Sequence, residues 1–247
     1  MMRWMLLAVM GLCCAPAAHA DRAPVPVSTI NMPPGWAWPP TAAMRDRGRR
    51  CLAALDRAGV QHELLTRSIG RVTTPVVVPE MRFGGLLVRP VYRRARPPVM
   101  DCHMALTLVQ HAPLLVELGV RELVTGGFYR NRRARLRGQS VALLSRHALG
   151  LAVDIRAFVF SDGRALSVKR DYRHPLLGRI EHVLAGSGGL RALVTPKNDR
   201  NHRNHFHISA KMTLDDAHPD DMVDIAELFR RVQQHARRAR RRGRLAQ

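Results

Sequence analysis

Apolar positions along this chain change period several times, and each change marks an element. From Ala43 to Val60 the residues Cys51, Leu52, Leu55 and Val60 fall near one helical face, and Gly59 stands where such a helix would stop. Thr73–Val91 carries short β-branched runs broken by Pro79 and by Gly84-Gly85, which predicts a hairpin. A second amphipathic helix is expected over Met100–Leu118, ended by Gly119. Leu123–Thr125 then leads as a strand into Gly126-Gly127 and an arginine-rich loop. Leu151–Ile155, apolar and partly β-branched after Gly150, reads as a short buried strand, and Asp162-Gly163 closes a hairpin between Ala157–Phe160 and Ala165–Val168. A third helix over Leu176–Leu184, a strand over Ala192–Thr195 and a fourth helix from Asp220 onward complete the pattern. Helices and strands mixed without regular alternation indicate an α+β domain: a mainly antiparallel sheet with flanking helices.

The ends of the chain are organised differently. Met1 to Arg3 is a positive start, Trp4–Cys14 an apolar core too short to span a bilayer, and Ala18-His-Ala20 a small-x-small cleavage site, so residues 1–20 read as a secretory signal peptide. The product is expected to be periplasmic or secreted, with no transmembrane segment after cleavage. Residues 21–42 are proline-rich and read as a linker, 43–215 as one domain, and 216–247 as a basic helix and tail. Cleavage would remove two of the four cysteines. The remaining pair, Cys51 and Cys102, is expected to form a disulfide in an exported chain.

Candidate chemistry lies in two segments. The first is Ser145-Arg-His147-Ala-Leu-Gly150-Leu-Ala152-Val-Asp154; the second, some fifty residues on, is His202-Arg-Asn204-His205-Phe206-His207. On a strand, Ala152 and Asp154 share one face, and His205 and His207 share a face with Phe206 turned the other way into the core. Two such strands side by side would gather Asp154 and the two imidazoles, with His147 reaching in from a turn. Histidine nitrogens plus one carboxylate form the ligand set of a catalytic zinc site that keeps one position open. The other histidines, such as His103, His111 and His174, are expected to be ordinary surface or hydrogen-bonded residues.

These residues resemble the zinc D-alanyl-D-alanine carboxypeptidases and their relatives, whose motif Ser-x-His-x-x-Gly-x-Ala-x-Asp is matched at Ser145, His147, Gly150, Ala152 and Asp154. Closer still is the resemblance to the bacterial extensin-like C-terminal domain proteins, through Met100-Asp-Cys102, Thr125-Gly-Gly-Phe-Tyr-Arg130, Phe160-Ser-Asp-Gly163-Arg and the histidine cluster. The resemblance implies a zinc D-Ala-D-Ala peptidase-like fold, Zn2+ on His147, Asp154 and His207, and Arg130 holding a substrate carboxylate or a developing oxyanion. Its substrate would be the stem peptides of peptidoglycan. One position departs from the pattern: where relatives place an acidic general base, this chain has Asn204, and an amide does not accept a proton from water at neutral pH. The implied catalytic role then passes to His205, as in the related His-x-His peptidases, or else turnover is weak or absent; His202 either orients a ligand or polarises the substrate, or is merely a strand-end residue.

Charge widens the set of partners. The formal net charge is +21, with arginines gathered at Arg130–Arg137 and in the tail from Arg230 to Arg244. Such a surface attracts the anionic polymers of a bacterial envelope. Nucleic acid is disfavoured by the signal peptide, an aromatic content of only 5% for base stacking, and the lack of a nucleic-acid motif. Three functional classes follow: a peptidoglycan hydrolase, a binding protein that keeps the metal site without turnover, and a basic adhesin whose tail carries the activity.

Overall fold

A computed structural model describes residues 32–33, 35–92, 97–136, 139–198 and 200–212. The expected signal peptide, most of the linker and the helix from Asp220 lie outside these residues. Helix α1, Ala42–Arg57, is capped by Thr41, whose hydroxyl accepts from the Met44 amide at 3.2 Å, and it buries Met44, Gly48, Cys51, Ala54 and Leu55 along one face. Three short strands follow, β1 (Glu63–Leu64), β2 (Pro75–Val77) and β3 (Arg82–Phe83), then β4 (Leu86–Pro90) and β5 (Met100–Asp101). Helix α2, Cys102–Glu117, leads to the long strand β6, Val120–Gly127.

The second helix starts two residues later than its apolar pattern suggests. Met100 and Asp101 pair with Val76 and Pro75 of β2, so the chain is still extended there, and Asp101 is the N-cap. Its buried carboxylate accepts from the His103 amide and ring Nδ1 (3.0 and 2.8 Å) on one oxygen, and from the Thr73 hydroxyl and Thr74 amide (2.9 and 3.0 Å) on the other. Burial pushes this carboxyl up, but those bonds and the nearby His103 ring outweigh it and hold the pKa below 3.8.

The remaining elements are β7 (Arg133–Leu136), β8 (Gln139–Leu144), a 3-10 turn (Arg146–Leu149), β9 (Ala152–Phe160), β10 (Ala165–Ser167), α3 (Val168–Asp171), α4 (Pro175–Gly186), β11 (Leu190–Val194), a 3-10 turn (Arg200–His202) and β12 (Phe206–Ala210). The main sheet has the order β11-β12-β9-β6-β4-β3, with β10 on β9; β1-β2-β5 and β7-β8 form separate small sheets. The expected α+β class holds, but the sheet is mixed and not mainly antiparallel. Strands β4 and β6 run parallel because the chain between them crosses over through α2, the kind of connection parallel neighbours require. The hairpin at Asp162-Gly163 forms as expected, pairing Ala165, Leu166 and Ser167 with Val159, Phe158 and Ala157.

The core lies between this sheet and the helices. Phe83, Met104, Leu123, Val153, Ile155, Phe158, Phe206 and Leu177 are fully or almost fully buried in it. Met32 and Trp36, upstream of α1, also pack on this core. Cys51 and Cys102 are joined in a disulfide with Cα atoms 6.1 Å apart, which ties the middle of α1 to the first residue of α2.

The bridge closes a loop with a sequence separation of 51 residues, which the chain-entropy relation converts to about 4 kcal/mol of stability. The double variant Cys51→Ser/Cys102→Ser should lower the urea unfolding free energy by roughly that amount, with an m-value above that of the oxidised protein because its denatured chain is no longer cross-linked. A midpoint equal to that of the wild type would show that the bridge adds nothing.

Candidate metal centre

Three adjacent strands bring the candidate residues together. Asp154 of β9 pairs with His207 of β12 on one side and Gly127 of β6 on the other, so a single row across the sheet holds the carboxylate between an imidazole and a backbone without a side chain. On β12 Phe206 turns away, fully buried against Phe158 and Tyr172, with ring centroids 5.5 and 6.2 Å apart. That orientation sends His207 to the opposite face, toward Asp154.

His147 enters from the 3-10 turn before β9. Ser145 caps that turn by accepting from the His147 amide at 3.3 Å, and Gly150 ends it in a left-handed conformation with φ of 68°. A Cβ at Gly150 would stand 2.6 Å from the Asp101 amide nitrogen, so only glycine fits the closure. The His147 ring is 2% exposed. Its Nδ1 lies 2.6 Å from the Phe128 carbonyl, which accepts only if Nδ1 carries the proton, so Nε2 is left with its lone pair.

That Nε2 is 3.1 Å from Asp154 Oδ1 and 3.2 Å from His207 Nδ1, and His207 Nδ1 is 3.0 Å from the same Oδ1. Ligand atoms of His147, Asp154 and His207 all lie within 4.8 Å of one another, a spacing that can hold a metal ion. Around them, Arg130 donates to Asp154 Oδ2, and His205 Nε2 lies 3.3 Å from Oδ1. Burial pushes His147 well below 6.5, assisted by His207 and Arg130. Burial also pushes His207 down to about 3, assisted by His205 and Arg130. Both rings are therefore neutral, the form in which imidazole binds a metal.

Two proton arrangements satisfy this cluster. His207 Nδ1–H can donate to Asp154, giving an ion-pair and hydrogen-bond cluster centred on the carboxylate. Alternatively, His207 Nε2–H donates to Ser209 Oγ, 3.0 Å away, leaving two nitrogen lone pairs and Oδ1 converging on one point, an arrangement that suits a cation. Arg130 occupies Oδ2 in either case and leaves Oδ1 available.

The structure places all six residues predicted from the sequence near one another, with different contacts. His147, Asp154, His205 and His207 meet directly, and Arg130 reaches Asp154. His202 packs its ring 4.8 Å from that of His205 and 5.5 Å from that of His207. Asn204 Oδ1 accepts from His205 Nδ1 at 2.8 Å, so the amide that replaces an acid orients a histidine. Ser209 and the Phe128 carbonyl were not foreseen. The alternation of β12 puts Ser209 on the His207 face, where a hydroxyl in an apolar strand is the available signal. A cleft of about 390 Å³ is lined by Thr125, Gly126, Gly127 and Tyr129, of and after β6, together with Pro90 and Tyr92, and the buried Thr125 hydroxyl has no hydrogen-bond partner among the described residues.

Fold and site together define an α+β domain with a buried His/Asp cluster at the centre of a mixed sheet. The family model of the extensin-like protein C-terminus matches residues 49–217, well over half of the chain, and the chain belongs to that family. Comparison with curated proteins and with solved structures returns no match.

The histidine shifts set the response to acid. His111, bonded to the Thr107 carbonyl and facing Ser187, is also pushed down by burial. A histidine whose folded pKa is lowered adds stability that is complete above the unfolded value of 6.5 and is lost as pH falls toward the folded value. Metal-free protein should therefore lose up to about 1.4 kcal/mol per pH unit for each such histidine below pH 6.5. Urea unfolding at pH 7.5, 6 and 5 measures this, and an unchanged midpoint would contradict the burial of neutral imidazoles.

Proposed function

We propose that this protein is an exported zinc peptidase that hydrolyses a bond in the peptide part of peptidoglycan, of the D-alanine carboxypeptidase or endopeptidase type. The observation that carries the reading is the convergence of His147 Nε2, His207 Nδ1 and Asp154 Oδ1, with His147 Nδ1 tied to a backbone carbonyl. The donor set suits zinc: borderline nitrogen ligands, one carboxylate oxygen, and neutral rings at physiological pH. His147, Asp154 and His207 would hold the ion. When bound, zinc supplies a Lewis acid for the scissile carbonyl and makes water more acidic.

The chain's own residues supply the rest. His205 donates its Nδ1–H to Asn204, so its Nε2 is a proton acceptor on the side of the cluster, the position for a general base. Arg130 fixes Asp154 through Oδ2 and keeps positive charge beside an oxygen on which negative charge develops. The motif match at Ser145, His147, Gly150, Ala152 and Asp154 supports the peptidase class, and membership of the extensin-like family is compatible with it. Peptidoglycan stem peptides are the substrate this resemblance implies, and the basic tail, residues 216–247, would add attraction to anionic envelope polymers.

A second reading is favoured by one observation, Asn204. A protein that kept the metal and the cleft but lost turnover would bind muropeptides without cleaving them.

Incubating the mature protein with isolated peptidoglycan, with zinc or with a chelator, and analysing the muropeptides by mass spectrometry separates the two. The expected result is zinc-dependent loss of alanine or opening of cross-links, abolished by His147→Ala and reduced on the order of 10²- to 10⁴-fold by His205→Ala. Asn204→Asp should preserve or raise the rate, because a carboxylate on Nδ1–H makes His205 a stronger base. Activity unchanged in His147→Ala would remove the metal mechanism. Intact muropeptides with zinc bound would leave the binding protein.

A further inference from the structure

Arg156 lies on β9 two residues beyond Asp154, so both side chains leave the strand on the same face. Across from them, on β6, stands Gly126. A Cβ at residue 126 would lie 2.9 Å from Arg156 Nε, 3.6 Å from Arg156 Nη2 and 3.5 Å from Asp154 Cβ. The absent side chain is thus the space into which the guanidinium folds, directly beside the cluster. The neighbouring Gly127 opens toward Arg130 in the same way, its Cβ position 3.8 Å from Arg130 Nε. Two consecutive glycines therefore seat two guanidinium groups at one edge of the site.

The two arginines differ in what they hold. Arg130 is engaged with Asp154 Oδ2, whereas among the described residues no hydrogen bond or ion pair involves Arg156. Asp154 does not bond to it: Oδ2 is engaged by Arg130, and Oδ1 faces the His147, His205 and His207 rings. A partly exposed guanidinium with no partner among the described residues offers an arriving carboxylate paired N–H donors whose spacing matches it.

We propose that Arg156 binds the free terminal carboxylate of the peptide substrate beside the His147/Asp154/His207 cluster, an assignment that rests on the peptidase reading for the nature of the ligand. One peptide residue spans at most about 3.3–3.6 Å. A carboxylate held by Arg156 therefore sets the preceding peptide carbonyl at the cluster, and the bond exposed to attack is the last one of the chain. Arg156 is thus a specificity residue that selects removal of a single C-terminal residue over cleavage inside a cross-link. The role that sequence resemblance assigns to Arg130 divides in two: Arg130 orients Asp154, and Arg156 recognises the ligand.

The test uses zinc-loaded full-length mature protein and two probes, N-acetyl-D-alanyl-D-alanine and its C-terminal amide, with equilibrium binding measured beside kcat and KM. Wild type is expected to bind the acid at least tenfold more tightly than the amide. Arg156→Gln should abolish that preference with zinc affinity unchanged, and Arg156→Lys should restore part of it. If the acid is hydrolysed, the loss in Arg156→Gln should fall mainly on KM. Equal affinity of wild type for acid and amide, binding of neither, or an intact preference in Arg156→Gln would overturn the assignment. A tenfold preference without turnover would leave the Arg156 site standing and remove the peptidase reading alone.

Discussion

A carboxylate removed from water must be met by positive charge or by hydrogen-bond donors, and Asp154 imposes this requirement on the middle of the main sheet. Its side chain is 3% exposed. The groups that surround it come from three places in the chain: Arg130 after β6, His147 from the 3-10 turn, and His205 and His207 at the entry to β12. None of these contacts survives if β6, β9 and β12 slip against one another. A one-residue shift would turn Asp154 into the apolar layer occupied by Val153 and Ile155. Strand register, turn closure at Gly150 and the buried position of Phe206 thus serve one local electrostatic demand.

The parts of this arrangement that were legible in the sequence are those set by short-range pattern. Alternation about Phe206 sends His205 and His207 to one face, and Ala152 beside Asp154 on one strand face leaves room at the carboxylate. The missed parts depend on distant partners. Met100 and Asp101 continue a helical pattern, yet they pair with β2, and only the carboxylate's bonds to Thr73 and Thr74 explain the later helix start. The parallel β4–β6 pair is equally invisible, because apolar spacing identifies a strand without fixing the direction of its neighbour. Arg130 illustrates the same limit at the site. Resemblance points it at a substrate, whereas the structure engages it with Asp154, and nothing local distinguishes Arg156 from the other arginines of a strongly basic chain.

Asn204 and Arg130 act on the cluster in the same sense. An acid at residue 204 would add negative charge beside His205. The amide instead supplies only an oxygen for Nδ1–H, so His205 keeps the right tautomer with less basicity. Arg130 withdraws charge from the carboxylate through Oδ2, which weakens Oδ1 as a donor to any cation. The centre is therefore poorer in negative charge than its residue types suggest.

The consequence reaches the ligand. With one carboxylate, neutral imidazoles and two guanidinium groups seated on Gly126 and Gly127, the site is net positive before any ion enters, and a divalent cation would make it more so. A cluster of this sign is completed by an anion in contact with it. A peptide that brings its own terminal carboxylate supplies that charge where an internal peptide bond cannot, so the electrostatics that make Asp154 scarce as a counter-charge also favour a chain end as the ligand.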